Sequence, residues 1–474
     1  MYVEYGKICT RYSFQESSPD PKYGNDPIII LPFNWGDEYP EEIYTEDGEQ
    51  HFTKEDYGFR KSSFSLYPAY QPLVKEKDNL IEGVNNTSRQ ILANIRDMNV
   101  YLAHQLMMHL YNEESDQNIL FSPISLQIVL SLLYEGAESK TKKELKTVLV
   151  NHGKIANPNV LRKASKTLMD HIQNLEEIHM SNDIFLSLKA KQEFAKLAFE
   201  YYSAEMTYFF KNESNWLEDI NEIVSNNTGG IIRNPIKTID ETNMLIINSL
   251  LIEASWLVPF KRTKSPMTFK FGDKITKVPA MHVESPEIGV STFTVKNQEV
   301  RLVRIPMQNS ENIEMRIYQP ISINPPFNQE YSMKTLMKHL RQFDNENIFE
   351  EEPEDRQHYK DISLSMPIYS CRKTFKVTNF LKSQGATTMF SDQAQLTNMV
   401  AEQLVVKDVT QEIFVEVSEN GTTAAAVTFV DLATLSASSP EIIEVNTPFI
   451  FTIWSKTFKM PLVVGLINNP EEAV

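Results

Sequence analysis

Apolar side chains recur every three or four residues from Leu92 onward. Ile95, Met98, Leu102, Leu106 and Leu110 fall on one face, and the spacing predicts an amphipathic helix. A near-continuous apolar run follows from Ile119 to Tyr134, too apolar for a surface helix and therefore expected at the centre of a domain. Ser122 before Pro123 marks its N-terminus, with proline in the first turn, and Gly136 marks its end. Further helices are expected between residues 160 and 205 around a short strand at 182–187, and a helix and turn at 219–231. The pattern changes at Met244–Trp256, which reads as a buried central strand. Residues 300–306 alternate as strands do, as do Ile413, Val415 and Val417. A helix and turn are expected at 380–391, and two apolar strands close the chain at 446–454 and 461–470. The acidic stretch 349–355 reads as an exposed loop. The mixture of periods predicts an α+β domain over residues 92–474.

One stretch departs from both periods. After the strand ending near Val417 comes Glu419-Asn-Gly-Thr-Thr-Ala-Ala-Ala-Val-Thr428. Gly421 supplies permissive backbone angles, and small side chains follow it. On a strand period Thr422, Ala424, Ala426 and Thr428 share a face that could slide over a packed core without a clash. An Ala/Thr-rich surface loop has the same composition, so the stretch alone leaves both readings open.

Residues 1–91 show no helical period and are dense in proline and carboxylates, which predicts an irregular acidic extension. Tyr39 and Tyr44 lie among its acids. The chain has 474 residues and a net charge of −17, which disfavours nucleic acid and anionic membranes as partners. No apolar run is long enough to span a bilayer. Two cysteines, Cys9 and Cys371, exclude a disulfide framework. Gly-x-Ser-x-Gly, His-Glu-x-x-His, Cys-x-x-Cys and Walker motifs are absent, and the nine histidines lack metal-ligand spacing. No enzyme activity, cofactor or metal is expected. N-glycosylation patterns occur at Asn85, Asn86, Asn212, Asn226 and Asn420, the last inside the small-residue stretch and not expected to be used. Residues 1–11 contain no apolar signal core.

The stretch from Glu419 resembles the mobile hinge of the reactive loop in serpins, where an acidic residue, Gly, Thr and a run of Ala precede the bait sequence. Glu419, Gly421, Thr422, Thr423 and Ala424, Ala425 and Ala426 stand in those places. Several other blocks fall in the family's order. Asn118, Ser122, Pro123, Ser125, Gly136 and Thr141 match the segment of the buried shutter helix, and Asn248 and Trp256 match the shutter asparagine and the tryptophan at the top of the sheet. Val278-Pro-Ala-Met281 and the two closing strands also match, so the resemblance covers residues 92–470. It implies three β-sheets, one large and central, with about eight to nine helices and an exposed reactive loop at 419–445.

The function implied is suicide inhibition of a serine protease, with the cleaved loop inserting into the large sheet. Fourteen positions after Gly421 stands Leu435, so the family's spacing predicts cleavage of the Leu435–Ser436 bond. A large apolar residue there suits a chymotrypsin-like protease; cleavage at Ser436 or Ala437 would suit an elastase-like one. The alternatives are a non-inhibitory carrier, chaperone or storage serpin, and an inhibitor of papain-like cysteine proteases. The resemblance also implies a monomer and an extracellular glycoprotein, with an intracellular location left open. Arg162, Lys163 and Lys166 form a modest basic face read as solvated surface, so heparin binding is not expected. The acidic extension reads as a solvated tail, or as an arm for a protease exosite as in some serpins. The sequence departs from the family at Gln411, where a shutter histidine is expected. It departs again at Ile368, where a lysine partner for Glu419 is expected, and at Glu253-Ala254 in place of Lys-Gly.

Overall fold

The structure is a computed structural model, and it describes residues 86–471 apart from 114–115, 151–157, 176, 210–214, 229, 231–243, 296–297, 309–312, 322–332, 334–335, 337–360 and 423–438. The helices are α1 (Asn86–Glu113), α2 (Pro123–Gly136), α3 (Ser139–Val150), α4 (Pro158–Gln173), α5 (Gln192–Tyr202), α6 (Trp216–Asn227) and α7 (Val377–Ser383). The first strands are β1 (Ile119–Phe121), β2 (Ile178–Leu186), β3 (Ala204–Tyr208), β4 (Met244–Ile252), β5 (Lys261–Arg262), β6 (Met267–Phe271), β7 (Lys274–Val278) and β8 (Ala280–Ser285). The remainder are β9 (Gly289–Val295), β10 (Gln298–Pro306), β11 (Ile313–Ile321), β12 (Ile362–Pro367), β13 (Tyr369–Lys376), β14 (Val406–Val417), β15 (Glu441–Glu444), β16 (Phe449–Ser455) and β17 (Met460–Ile467).

The strands form three sheets and one hairpin. A six-stranded sheet has the order β1-β17-β16-β11-β10-β9, a five-stranded sheet β13-β14-β4-β2-β3, and a four-stranded sheet β15-β12-β8-β5; β6 and β7 pair by themselves. The α+β architecture expected from the periodicity is present. Helix α1 begins at Asn86, before the first apolar repeat at Leu92, because its opening turns are polar and carry no periodic signal. Strand β2 is also longer than the predicted 182–187: it starts at Ile178, and all but one of its residues are buried.

Helix α2 is the centre of the packing, and every one of its residues is buried. It lies against β17 on one side and β2 and β4 on the other, so it joins the two larger sheets. Ser122 caps it, the hydroxyl accepting from the Ser125 amide at 3.3 Å. Gly136 ends the helix for a reason other than a left-handed turn: a Cβ there would sit 2.8 Å from Met399 Cε and 3.2 Å from Phe194 Cε2. Helix α2 also holds the buried carboxylate Glu135. Arg162 of α4 binds it with two hydrogen bonds, 2.8 and 2.9 Å, and Tyr202 of α5 donates at 3.2 Å. Arg162 therefore turns inward, which corrects the basic face expected on α4. Lys166 is held by Asp170 at 3.4 Å, which further dilutes that face.

In the six-stranded sheet β16 and β17 pair with Phe451 opposite Gly465. The phenyl ring occupies the space beside the glycine, and a Cβ on Gly465 would collide with Phe451 Cε1 and Cζ. Gly465→Ala therefore has to displace a fully buried ring, at about 1–3 kcal/mol. A thermal melt should show a lowered midpoint, while Phe451→Leu combined with Gly465→Ala should recover part of the loss.

Candidate functional site: a strand seam and the hinge above it

Strands β14 and β4 run parallel and pair directly over eight register positions, from Val406 opposite Met244 to Phe414 opposite Leu251. Two polar rungs cross this seam at adjacent positions and point to opposite faces, as the strand period requires.

The first rung faces α2. Gln411 stands opposite Asn248, which stands opposite Asn182 of β2. Gln411 Oε1 accepts from the Ser122 amide at 2.7 Å, and Gln411 Nε2 donates to the Ser122 carbonyl at 3.0 Å and to Asn248 Oδ1 at 3.2 Å. Asn248 Nδ2 donates to Asn182 Oδ1 at 2.9 Å and to the Ser181 carbonyl at 3.1 Å, and Asn182 Nδ2 reaches the Tyr202 carbonyl at 3.3 Å. The Ser122 hydroxyl donates to the Leu462 carbonyl of β17 at 2.8 Å, and the Ser125 hydroxyl reaches Met180 Sδ at 3.1 Å. All of these side chains are buried. Where imidazole was expected, the glutamine amide uses both its ends at once: it caps the entry of α2 and closes the seam.

The second rung faces α6. Thr374 of β13, Glu412, Ser249 of β4 and Ser181 of β2 stand in register. The Glu412 side chain has no exposed surface, and neither of its oxygens nor the Ser249 hydroxyl reaches a hydrogen-bond partner in good geometry. Burial pushes the Glu412 carboxyl up to about 7, against the opposing pull of the Thr374 hydroxyl and of Arg372, whose Nε lies 3.8 Å away. Further along, burial also raises Asp183 to about 7; the Ser181 hydroxyl at 2.9 Å and Asn227 of α6 at 2.8 Å oppose the rise, and Glu205 adds to it. The sequence concealed this rung. Glu412 occupies a polar position of an alternating strand, which reads as solvent-facing; only the covered second face makes it buried.

Above the seam the chain leaves β14 through a tight turn in which Ser418 bridges Gly421, and Gly421 also bridges Ser255 beyond β4. Gly421 has φ +146°, and a Cβ on it would stand 2.1 Å from the Ala254 carbonyl oxygen. Only glycine fits this approach. Thr422 is fully buried; its amide donates to the Ala254 carbonyl at 2.6 Å and its hydroxyl accepts from the Ala254 amide at 2.8 Å. Trp256 is fully buried too, its indole N–H donating to the Ser418 carbonyl at 2.8 Å. Glu419 has Arg262 of β5 at 4.0 Å, so a cation from another sheet stands near the carboxylate that Ile368 cannot serve. Glu253 meets His179 at 3.2 Å.

Of the predicted loop 419–445, residues 423–438 lie outside the described residues, among them Thr423, Ala424, Ala425, Ala426, Leu435 and Ser436. Its last residues are not exposed loop, since Glu441–Glu444 form strand β15 paired with β12, and Ile443 and Val445 are buried. Residues 1–85 of the predicted N-terminal extension, the loop at 349–355, Asn85 and Asn212 also lie outside the described residues; the last residues of that extension, 86–91, are helical, being the start of α1. Asn86 lies in α1. Asn226 is exposed on α6, but Thr228 of its pattern is buried and donates to the Val224 carbonyl at 2.8 Å. Among the described residues no group of acids, histidines and cysteines is placed to hold a metal ion.

The family model described as Serpin (serine protease inhibitor) matches residues 97–470. The chain belongs to the serpin family. An uncharacterized serpin-like protein of Thermococcus kodakarensis is 26% identical over 370 residues, covering 76% of this chain and 82% of that protein. Alpha-1-antichymotrypsin of Pongo abelii is 25% identical, covering 79% and 88%. Among solved structures, Serpin48 of the insect Tenebrio molitor aligns with a TM-score of 0.66 at 23% identity, covering 81% of this chain and all of that one, which shows the shared fold. Serpins are protease inhibitors, and this serpin has the α+β fold anticipated from its sequence, with seven α-helices among the described residues where about eight to nine were expected for the whole domain.

Two measurements probe the rungs. Gln411→Ala takes the partner from the Ser122 amide and from Asn248 Oδ1 and should lower unfolding free energy by about 2–4 kcal/mol in a urea titration, because buried groups lose their partners. Glu412→Gln tests the acid. A carboxyl that titrates near 7 when folded and near its ordinary 4.5 when unfolded withdraws stability as pH rises between those values, and is constant above them. The variant should therefore gain on the wild type by about 1 kcal/mol per pH unit across that window. A constant difference from pH 4 to 8 would refute the assignment.

Proposed function

We propose that this serpin inhibits a chymotrypsin-like or elastase-like serine protease by covalent trapping. The observation that carries the reading is the register already set by Gly421. Its two bridges are antiparallel, one to Ser418 and one to Ser255. Continued downward, that register inserts a strand between β14 and β4. Thr422 falls between Val417 and Ala254, Ala424 beside Val415, Ala426 beside Ile413, and Thr428 between Gln411 and Asn248. The hydrogen bonds of Thr422 to Ala254 are the first rung of this ladder. The partners read from β14 and from β4 agree at every step, because those two strands are themselves in register.

The residues that would enter facing the core are Thr422, Ala424, Ala426 and Thr428, all small. At the polar rung the Gln411–Asn248 contact must part, and a Thr428 hydroxyl can both donate and accept between the two amides. An added strand also satisfies backbone groups along its whole length, which supplies the driving force.

The chemistry follows. The protease serine Oγ attacks the carbonyl carbon of Leu435, the Leu435–Ser436 C–N bond breaks, and the proton passes to the new amino group of Ser436. The protease is left esterified to Leu435. Insertion then carries it away from the bait site before water completes hydrolysis. Leu435 suits an apolar primary pocket, and the similarity to an antichymotrypsin supports that choice. An extracellular site of action and a monomeric inhibitor belong to the same proposal.

Incubation with chymotrypsin, pancreatic elastase and trypsin should give an SDS-stable complex with the first or second, and a released peptide beginning at Ser436. Thr422→Arg should convert the inhibitor into a substrate, cleaved in the loop with little or no complex, because a charge must be buried on the first inserted rung. Clean cleavage of the wild-type loop without complex would mean a non-inhibitory serpin.

A further inference from the structure

Seventeen consecutive residues, 261–277, hold Lys261, Arg262, Lys264, Lys270, Lys274 and Lys277 against the single acid Asp273, in a chain of net charge −17. All six cations are exposed. The fold gathers them around the reactive loop. Strand β5, with Lys261 and Arg262, is an edge of the four-stranded sheet, and β15, the strand that follows the loop, is its other edge. Just before β5, the Phe260 amide donates to the Glu419 carbonyl at 3.0 Å, so the cations begin where the loop departs. The β6–β7 hairpin adjoins the place where the loop returns: the Lys270 amide donates to the Asn446 carbonyl at 2.9 Å. Register places Thr268, Lys270, Ile275 and Lys277 on one face of this hairpin, with Lys277 donating to the Thr268 hydroxyl at 2.6 Å. Ile275 is 68% exposed among these lysines. Glu419 beside Arg262 and Glu444 beside the hairpin offset part of the charge.

We propose that this basic face is an accessory docking surface for the protease engaged at the loop, and that it selects proteases with an acidic rim around the active site. The inference rests on the inhibitory reading given above. Its physical basis is the contrast in charge. The chain as a whole is strongly negative, so an acidic partner is drawn toward the six cations gathered near the two points where the loop departs and returns. Such a field orients the encounter as well as accelerating it. The exposed Ile275 supplies an apolar contact within the charged surface. The α4 face lacks this arrangement, since Arg162 is bound to Glu135.

The test uses the full chain with the anionic and cationic isoforms of chymotrypsin, each also prepared as an inert serine-to-alanine form. Docking of the inert forms is read by surface plasmon resonance, and trapping of the active forms by association rate, both over a range of salt. The inert anionic isoform should bind about tenfold more tightly at low than at high ionic strength, and the combined variant Lys264→Glu/Lys274→Glu/Lys277→Glu should abolish that gain. The cationic isoform should show no loss in the variant, and a matching thermal midpoint verifies that the variant is folded. Equal binding of the inert anionic isoform to wild type and variant overturns the docking surface, even if trapping is normal. Charge-dependent docking of the inert form without any SDS-stable complex from the active one leaves the surface standing and removes the inhibitory reading.

Discussion

The direct pairing of β14 with β4 is the constraint on which the remaining structure turns. Besides their backbone pairing, the two parallel strands are tied at mid-height by one side-chain amide, Gln411, which binds Ser122 and Asn248 at the same time. Through Ser122 the bond reaches the cap of α2 and the carbonyl of Leu462 in the other large sheet. Through Asn248 and Asn182 it reaches α5. Closing the seam and seating the central helix are thus one act. A group with only one hydrogen-bonding end could not do both.

The opposite face of the same strands works against the closure. Glu412 is enclosed with no hydrogen-bond partner in good geometry, opposite a serine hydroxyl in the same condition. Buried acids of this kind weaken the folded state whenever they ionise. The two rungs, one position apart, therefore set a strong polar clasp against an unsatisfied carboxyl. At Gly421 the missing side chain lets the turn approach the Ala254 carbonyl, and the Thr422 amide bonds to that same carbonyl.

Much of this was legible in the residue pattern. The fully buried α2, the central β4, the period-two β14 and the small residues after Gly421 each carry a strong local signal, because period and bulk follow from which face is covered. Ser122, Ser125, Asn248 and Trp256 stand out by matching family motifs and Gln411 by departing from one, and tertiary structure brings Ser122, Asn248 and Gln411 into one network. Less legible were features that depend on a neighbour distant in sequence. The cation near Glu419 is Arg262, from another sheet, and no spacing connects them. Arg162 looked like surface charge because its partner Glu135 belongs to a different helix.

The sequence by itself therefore determined the class of fold, the central helix, the hinge and its freedom from bulky groups, since these depend on side-chain size and periodicity along the chain. Tertiary structure alone decided which polar residues are buried and what they meet. Gln411 and Glu412 are adjacent in sequence and both polar, yet one becomes a clasp and the other an unsatisfied acid. The difference arises because successive strand residues face opposite sides of the sheet, and on α2's side the Ser122 backbone and Asn248 meet the side chain in good hydrogen-bond geometry.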